Sequence, residues 1–338
     1  MTKTEIQTIA DIARLAGVSK STVSRALNNS PLIAAETKER ISTIAAEHDF
    51  HMNVPARRLS LKQSHAIALV TYPFKGDENT PEVFMLEIMS GVSLALHANE
   101  HDLLVISVDP SDVEWSRAYL ETGRVDGFIL LSGMCSRSQL RTLKDTHAPF
   151  IIWGVAPGAH GFCTVSGDSV AGGKLATEHL LSRGNRRIAF LGGPEDDPEV
   201  QDRLRGYELA LDEGGERIDP ELLAYSDRHW TEEAARVATR ELLERAPDLD
   251  ALFTCSDAFA IAAIDELRTY GREVPGDVGV VGYDDALIAR HSNPPLTTIR
   301  QNGPLAGRLL AENMIQHLRT GVVTNVSIPA ELVIREST

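Results

Sequence analysis

Two rhythms of apolar and polar positions divide the chain. From Thr8 to about Asp49 the apolar residues Ile12, Ala13, Ala16, Val18, Val23, Ala26 and Leu27 recur at helical spacing, interrupted by Gly17. From His65 onward the apolar runs HAIALVT, LLVISV, VDGFILL, PFIIWG, RIAFLGG, DALFT and VGVVGY alternate with helical stretches. The first rhythm predicts short helices without a sheet. The second predicts βα units in parallel sheets, numerous enough for two lobes. The predicted fold class is multi-domain: an all-α helix-turn-helix head followed by a two-lobed α/β body.

Within the head, Thr8 followed by Asp11 is a capping box with Asp in place of the usual Glu, opening a helix through roughly Leu15. Gly17 stops it, Ser19 caps a second helix, and a third spans about Ala35 to Asp49. Steeply crossing helices need a small residue at their contact, here Ala13, and a turn that tolerates positive φ, here Gly17. Docked in a major groove, the second helix presents its N-terminal side chains to base edges. Lys20, Ser21 and Arg25 are the candidate base readers. Thr8, Ser19, Thr22, Ser24 and Asn28 are candidates for phosphate contact, which positions without specifying.

The run TIADIARLAGVSKSTVSRALNN, Thr8 to Asn29, resembles the opening of the lactose-repressor (LacI/GalR) family, and the similarity continues through nearly the whole chain. The resemblance implies that FHMNVPARRLS, Phe50 to Ser60, is a hinge that folds on operator DNA, with Ala56 and Leu59 at the minor-groove positions and Arg57 on phosphates. Two residues depart from the family pattern: Met52 stands where a proline is usual, and Ala34 where a serine caps the third helix. Hinge pairing implies a homodimer reading a pseudo-palindromic operator. No leucine heptads follow VSIPAELVIREST, so a dimer is expected rather than a tetramer.

The resemblance also implies that the body is a periplasmic-binding-protein-like module. The expected boundaries are residues 1–50 for the head, 51–63 for the hinge and 64–338 for the effector-binding and dimerisation domain. Lobe one is expected to comprise about 64–165 and 297–322, and lobe two about 166–296 and 323–338. Residue by residue, the effector candidates are Arg203 in RLRGYELAL, Trp230 in DRHWTEEAA, Ser256 and Asp257 in TCSDAFA, Asp284 in VVGYDD, Gln301 in TTIRQ, and Phe84 with Met85 in PEVFMLEIMSG. An arginine, a stacking aromatic and several acceptors suit a mono- or disaccharide. A purine or another metabolite acting as corepressor is the alternative.

Catalytic readings find no footing in the residues. GDSVAGGKL, Gly167 to Leu175, lacks the glycine and the Ser/Thr that a phosphate loop requires around Lys174, and reads instead as a helix start capped by Asp168. No G-x-S-x-G or H-E-x-x-H set occurs, and the eleven histidines show no metal spacing. Neither enzyme activity nor a cofactor or metal is expected.

Composition changes the picture in one respect. At 338 residues, with 43% hydrophobic and 24% charged residues, the chain is an ordinary globular sequence whose formal charge of -15 ill suits a DNA binder. Yet nine of the 33 Lys/Arg and six of the 48 acids fall in residues 1–63, a net of +3, which leaves 24 against 42, or -18, for the rest. A mildly basic head can approach phosphates while an acidic body resists nonspecific adhesion. The N-terminus lacks a signal-like apolar core, no run reaches membrane-span length, and Cys135, Cys163 and Cys255 are far apart, so a cytoplasmic protein with reduced thiols is expected. An exported solute-binding protein, which would share the body, would have no use for the head.

Overall fold

The computed structural model describes residues 8–28, 30–50, 64–71, 83–109, 111–131, 136–154, 162–226 and 230–338. It divides into two units, Met1–Ser64 and His65–Thr338. In the first, helices α1 (Ile9–Ala16), α2 (Lys20–Leu27) and α3 (Ala35–Glu47) bury Ile12, Ala13, Ala16, Val23, Ala26, Ile41 and Ala45 together. The predicted capping box forms: the Asp11 amide donates to Thr8 Oγ1 at 3.3 Å, and the Thr8 amide donates to the Asp11 carboxylate at 3.2 Å. Gly17 closes α1 in the left-handed region at φ 65°, and the Thr22 amide donates to Ser19 Oγ at 3.1 Å to open α2.

Helix α3 starts less well. Ala34 occupies its N-cap with φ -59° and ψ 146° and no side-chain hydrogen bond, leaving first-turn amides without the acceptor that a serine would supply. The backbone already has a cap-compatible shape. Ala34→Ser is therefore expected to stabilise the head by about 1 kcal/mol, which would show as slower amide hydrogen exchange in the first turn of α3 with exchange in the second unit unchanged.

The second unit contains two six-stranded sheets. In sequence order its elements are β1 (Ala66–Thr71), α4 (Val83–Ala98), β2 (Asp102–Ser107), α5 (Trp115–Leu120), β3 (Gly127–Leu131), α6 (Arg137–Asp145), β4 (Phe150–Trp153), β5 (Thr164–Gly167), α7 (Ser169–Ser182), β6 (Ile188–Pro194) and α8 (Pro198–Glu213). There follow β7 (Leu223–Ser226), α9 (Glu232–Arg245), β8 (Ala251–Thr254), α10 (Asp257–Thr269), β9 (Gly279–Asp284), α11 (Leu287–His291), β10 (Thr297–Arg300), α12 (Gly303–Thr320), β11 (Val326–Ile328) and β12 (Glu331–Val333). Strand order is β11-β5-β4-β3-β1-β2 in one sheet and β12-β10-β9-β8-β6-β7 in the other. Among the described residues every pairing is parallel except β10 with β12.

The chain crosses between sheets three times, each time a few residues later than the family resemblance placed it. β5 pairs with β4 and β11, so the first lobe runs to Gly167 rather than 165. β10 pairs with β9 in the second sheet, so the return falls after Arg300 rather than before Thr297. β11 belongs to the first sheet, so the last crossing follows Ile328 rather than residue 322. Strand pairing, which persists up to each crossing, sets these limits.

Both lobes join two helices by backbone contact. In the first, a β-carbon on Gly91 of α4 would stand 2.2 Å from the Pro304 carbonyl oxygen of α12, and one on Gly307 2.1 Å from that of Ile88. In the second, a β-carbon on Gly206 of α8 would meet the Val170 carbonyl oxygen of α7 at 2.1 Å, and one on Gly173 would meet that of Arg203 at 2.1 Å. The α7–α8 contact therefore fixes the height at which Arg203 stands. Lys174, beside it in the rejected phosphate-loop reading, instead pairs with Glu213 at 2.6 Å, and Asp168 caps α7 by accepting from the Ala171 amide.

Candidate functional site

On the head, Lys20, Ser21 and Arg25 are exposed, as base readers must be, and Thr22, Ser24 and Asn28 are half-buried. Ser19 Oγ lies 2.7 Å from Ser21 Oγ and 2.8 Å from Thr22 Oγ1, so three hydroxyls cluster at the α2 N-terminus, where backbone amides and the helix dipole favour a phosphate. Thr8 Oγ1 sits 2.7 Å from the Asp11 carboxylate and is engaged in its cap. Ala56, Arg57 and Leu59, together with Met52, lie outside the described residues.

In the body, the sequence candidates collect at the carboxyl ends of the second sheet, where α/β sheets place their ligand sites. Arg203 is 3% exposed and is the only Lys or Arg buried among the described residues. Its guanidinium lies 3.9 Å over the Tyr283 ring, donates to the Cys255 carbonyl at 2.5 Å, and pairs with Glu199 one helical turn earlier at 3.0 Å. Burial alone would lower its pKa, but Tyr283 and Glu199 outweigh that and hold it charged. Its Nε has no protein partner.

Asp284 ends β9 at φ 111°, a conformation that L side chains rarely adopt and that clusters at functional sites. It accepts from Gln301 Nε2 at 2.6 Å, which links β9 to the crossover. Gln301 Oε1 is buried without a partner, as is Ser226 Oγ at the end of β7. Trp230 lies across Gly193 of β6, where a β-carbon would come within 2.4 Å of the indole, and tilts against Phe259 at 5.2 Å. A half-buried indole, three orphaned polar atoms and two carboxylates thus line one edge.

The remaining candidates are placed otherwise. Asp257 is buried and bonded within the protein: one carboxylate oxygen accepts from Thr298 Oγ1 at 2.5 Å and the other from the Ala286 amide at 2.7 Å. These two bonds pin the β9–α11 turn from beneath. Burial and the nearby Asp284 push its carboxyl well above the usual range. Ser256 caps α10, with its Oγ accepting from the Phe259 amide at 3.2 Å. Phe84 and Met85, each 8% exposed, pack in the first lobe's core, with Phe84 on Trp153 at 5.6 Å. Their surroundings are those of core side chains.

Three residues were not legible as site residues in the sequence. Tyr283 supports Arg203, and Glu199 neutralises it; the i to i+4 spacing of Glu199 and Arg203 on one helix was the available signal. Asp285, 6% exposed, receives Arg335, Arg300 at 2.7 Å and Arg290 at 3.8 Å. This network ties the end of the chain to the β9 and β10 ends, and Arg335 is too distant in sequence to have signalled it.

Glu199 carries a pH signature. Burial pushes its carboxyl up to about 7, against the pull of Arg203 and with repulsion from Asp197 at the cap of its helix, Asp284 on β9 and Asp202 on the helix itself. Between the ordinary carboxylate range and about pH 7 the folded state holds a proton that the unfolded chain releases. The stabilisation is therefore full in acid and is lost as pH rises through 7. Tryptophan-monitored urea unfolding is expected to show stability falling between about pH 4.5 and pH 7 and levelling above it, with a smaller fall in Glu199→Gln.

Comparison with known proteins agrees with this division. Residues 8–53 match the family of bacterial regulatory proteins typified by lacI, and residues 177–338 match a periplasmic binding protein-like domain. The transcriptional regulator CelR of Thermobifida fusca is 35% identical over 337 residues, covering 98% of both chains. A CelR–cellobiose complex superposes with a TM-score of 0.74 at 32% identity, over 98% of this chain and 100% of that one. The lac repressor dimer bound to operator and the anti-inducer ONPF superposes with a TM-score of 0.80 at 26% identity, over 98% of each. The fold and site define a two-part regulator, a helix-turn-helix head on a binding-protein body. The chain belongs to the lacI family of bacterial regulatory proteins.

Proposed function

We propose that this protein is a dimeric, cytoplasmic, sequence-specific transcriptional repressor, not an enzyme, whose pseudo-palindromic operator is released when a neutral mono- or disaccharide occupies the second lobe's carboxyl edge. The observation that carries the reading is the placing of Arg203, Asp284, Gln301 and Trp230 at the carboxyl ends of one sheet, in a chain whose first unit is a helix-turn-helix. A sugar offers an apolar ring face for the indole and hydroxyls for the orphaned Nε, Oγ and Oε1 atoms. Cellobiose is the sugar in the CelR complex and is the first to try. Effector binding shifts operator affinity only if it favours one of two body states, and the strained β9 end at the crossover is where that difference is registered.

The DNA half is tested by selecting sites from randomised duplex with wild type and Arg25→Ala. Exposed Arg25 is the base reader, so the variant is expected to lose preference at one symmetric pair of base positions, at about 1–3 kcal/mol per contact. Uniformly weaker binding with the same site preference would make Arg25 a phosphate contact instead.

A further inference from the structure

We infer that Glu199 sets the charge selectivity of the effector site, cancelling Arg203 so that the cleft admits uncharged glycosides and rejects their anionic counterparts, the aldonic acids and sugar phosphates. The inference deepens the carbohydrate reading above and rests on it.

A buried arginine ordinarily invites a carboxylate or phosphate, because its fork offers two parallel donors to two oxygens. Here both terminal nitrogens are already bonded inside the protein, one to the Cys255 carbonyl at 2.5 Å and the other to Glu199 Oε2 at 3.0 Å. Nε is the one guanidinium nitrogen left without a partner. Each terminal nitrogen is tethered by the bond it makes, and the Glu199 carboxylate already stands where a first anion would sit on the fork.

Charge points the same way. Glu199 and Asp284 both act on Arg203 electrostatically, and Asp284 and Asp197 both act on Glu199. One buried cation therefore sits among three carboxyl groups, on α8, at its cap and on β9, so a further negative charge meets repulsion in a poorly solvated place. Glu199 is the member whose removal alters this balance with least disturbance. Asp197 caps α8 and Asp284 holds Gln301, whereas among the described residues the hydrogen bond of the Glu199 side chain is the link to Arg203 itself.

The test measures binding of matched pairs that differ by one carboxylate, cellobiose with cellobionate, glucose with gluconate and ribose with ribonate, to the full-length protein by calorimetry at pH 8, where Glu199 is ionised, at low and moderate salt. Wild type is expected to favour the neutral member of the bound pair at least tenfold. Glu199→Gln, isosteric and uncharged, is expected to narrow that ratio at least fivefold, mainly by gaining affinity for the acid. Glu199→Asp keeps the charge and should keep most of the preference. A purely structural role would weaken both members alike and leave the ratio unchanged in Glu199→Gln, which overturns the inference. Equal wild-type affinity for acid and neutral sugar overturns it too, while the carbohydrate reading stands. If wild type binds no sugar of either kind, the carbohydrate reading fails and the inference with it.

Discussion

Gly206→Ala is expected to destabilise the second unit by about 3 kcal/mol, the upper end for an overpacked core. The reason is what the new methyl meets: the Val170 carbonyl oxygen at 2.1 Å and the Lys174 amide nitrogen at 2.6 Å, both backbone atoms of α7. A flexible side-chain tip could swing aside, but a helix backbone cannot yield without parting the two helices. The same contact sets the position of α8, since Gly173 rests on the Arg203 carbonyl. Parting the helices should therefore weaken sugar binding as well as stability. Trp115, Trp153 and Trp230 all lie in the second unit, so fluorescence-monitored urea unfolding of the full-length variant reads that unit specifically. An unchanged midpoint would mean that the helices are not in backbone contact.

Arg203→Ala is expected to abolish the sugar response, with at least a hundredfold loss of affinity, or about 3 kcal/mol. The substitution removes the buried donor, strips the Tyr283 ring of its cation and leaves Glu199 buried without its partner. Glu199 can take up a proton in response, because its carboxyl already titrates at about 7, so the fold should survive the loss. Operator binding without sugar should persist, because the core and caps of the head draw on its own side chains alone, with Phe50 the last contributor. Arg203→Lys keeps the charge but not the planar stack, and is expected to lose most of the response too.

The head was almost entirely legible in the sequence because its determinants are local. Thr8 with Asp11, Gly17 and Ser19 each act within a few residues of themselves, and even the missing cap at Ala34 was foreseeable from one position. The seven apolar runs of the body all became strands; those at the sheet centres are buried on both faces and read as unbroken apolar stretches, whereas β2 is a largely exposed edge strand. β5 (TVSG), β7 (LAYS) and β10 (TTIR) are short and polar, and owe their strand character to the neighbours they pair with.

Site residues were legible in proportion to how local their surroundings are. Arg203, Trp230, Asp284 and Gln301 were placed together by resemblance, and the structure brings them to one sheet edge. The structural part that Asp257 plays was not legible, because its partners, Ala286 and Thr298, lie 29 and 41 residues away. Phe84 and Met85 read equally as core or effector side chains from the sequence, and they pack in the first lobe's core. Glu199 was overlooked although its partner stands four residues on.

The central claim is that sugar bound beside Arg203 releases the head from DNA. Fluorescence anisotropy of a labelled duplex, taken from the randomised selection and titrated with cellobiose and the other neutral sugars, tests it most directly. The account predicts that wild type releases the duplex as one neutral sugar is added, while Arg203→Ala binds the same duplex and stays bound at every sugar concentration. Release from Arg203→Ala at the wild-type concentration, or a wild-type complex that no sugar disturbs, would contradict it.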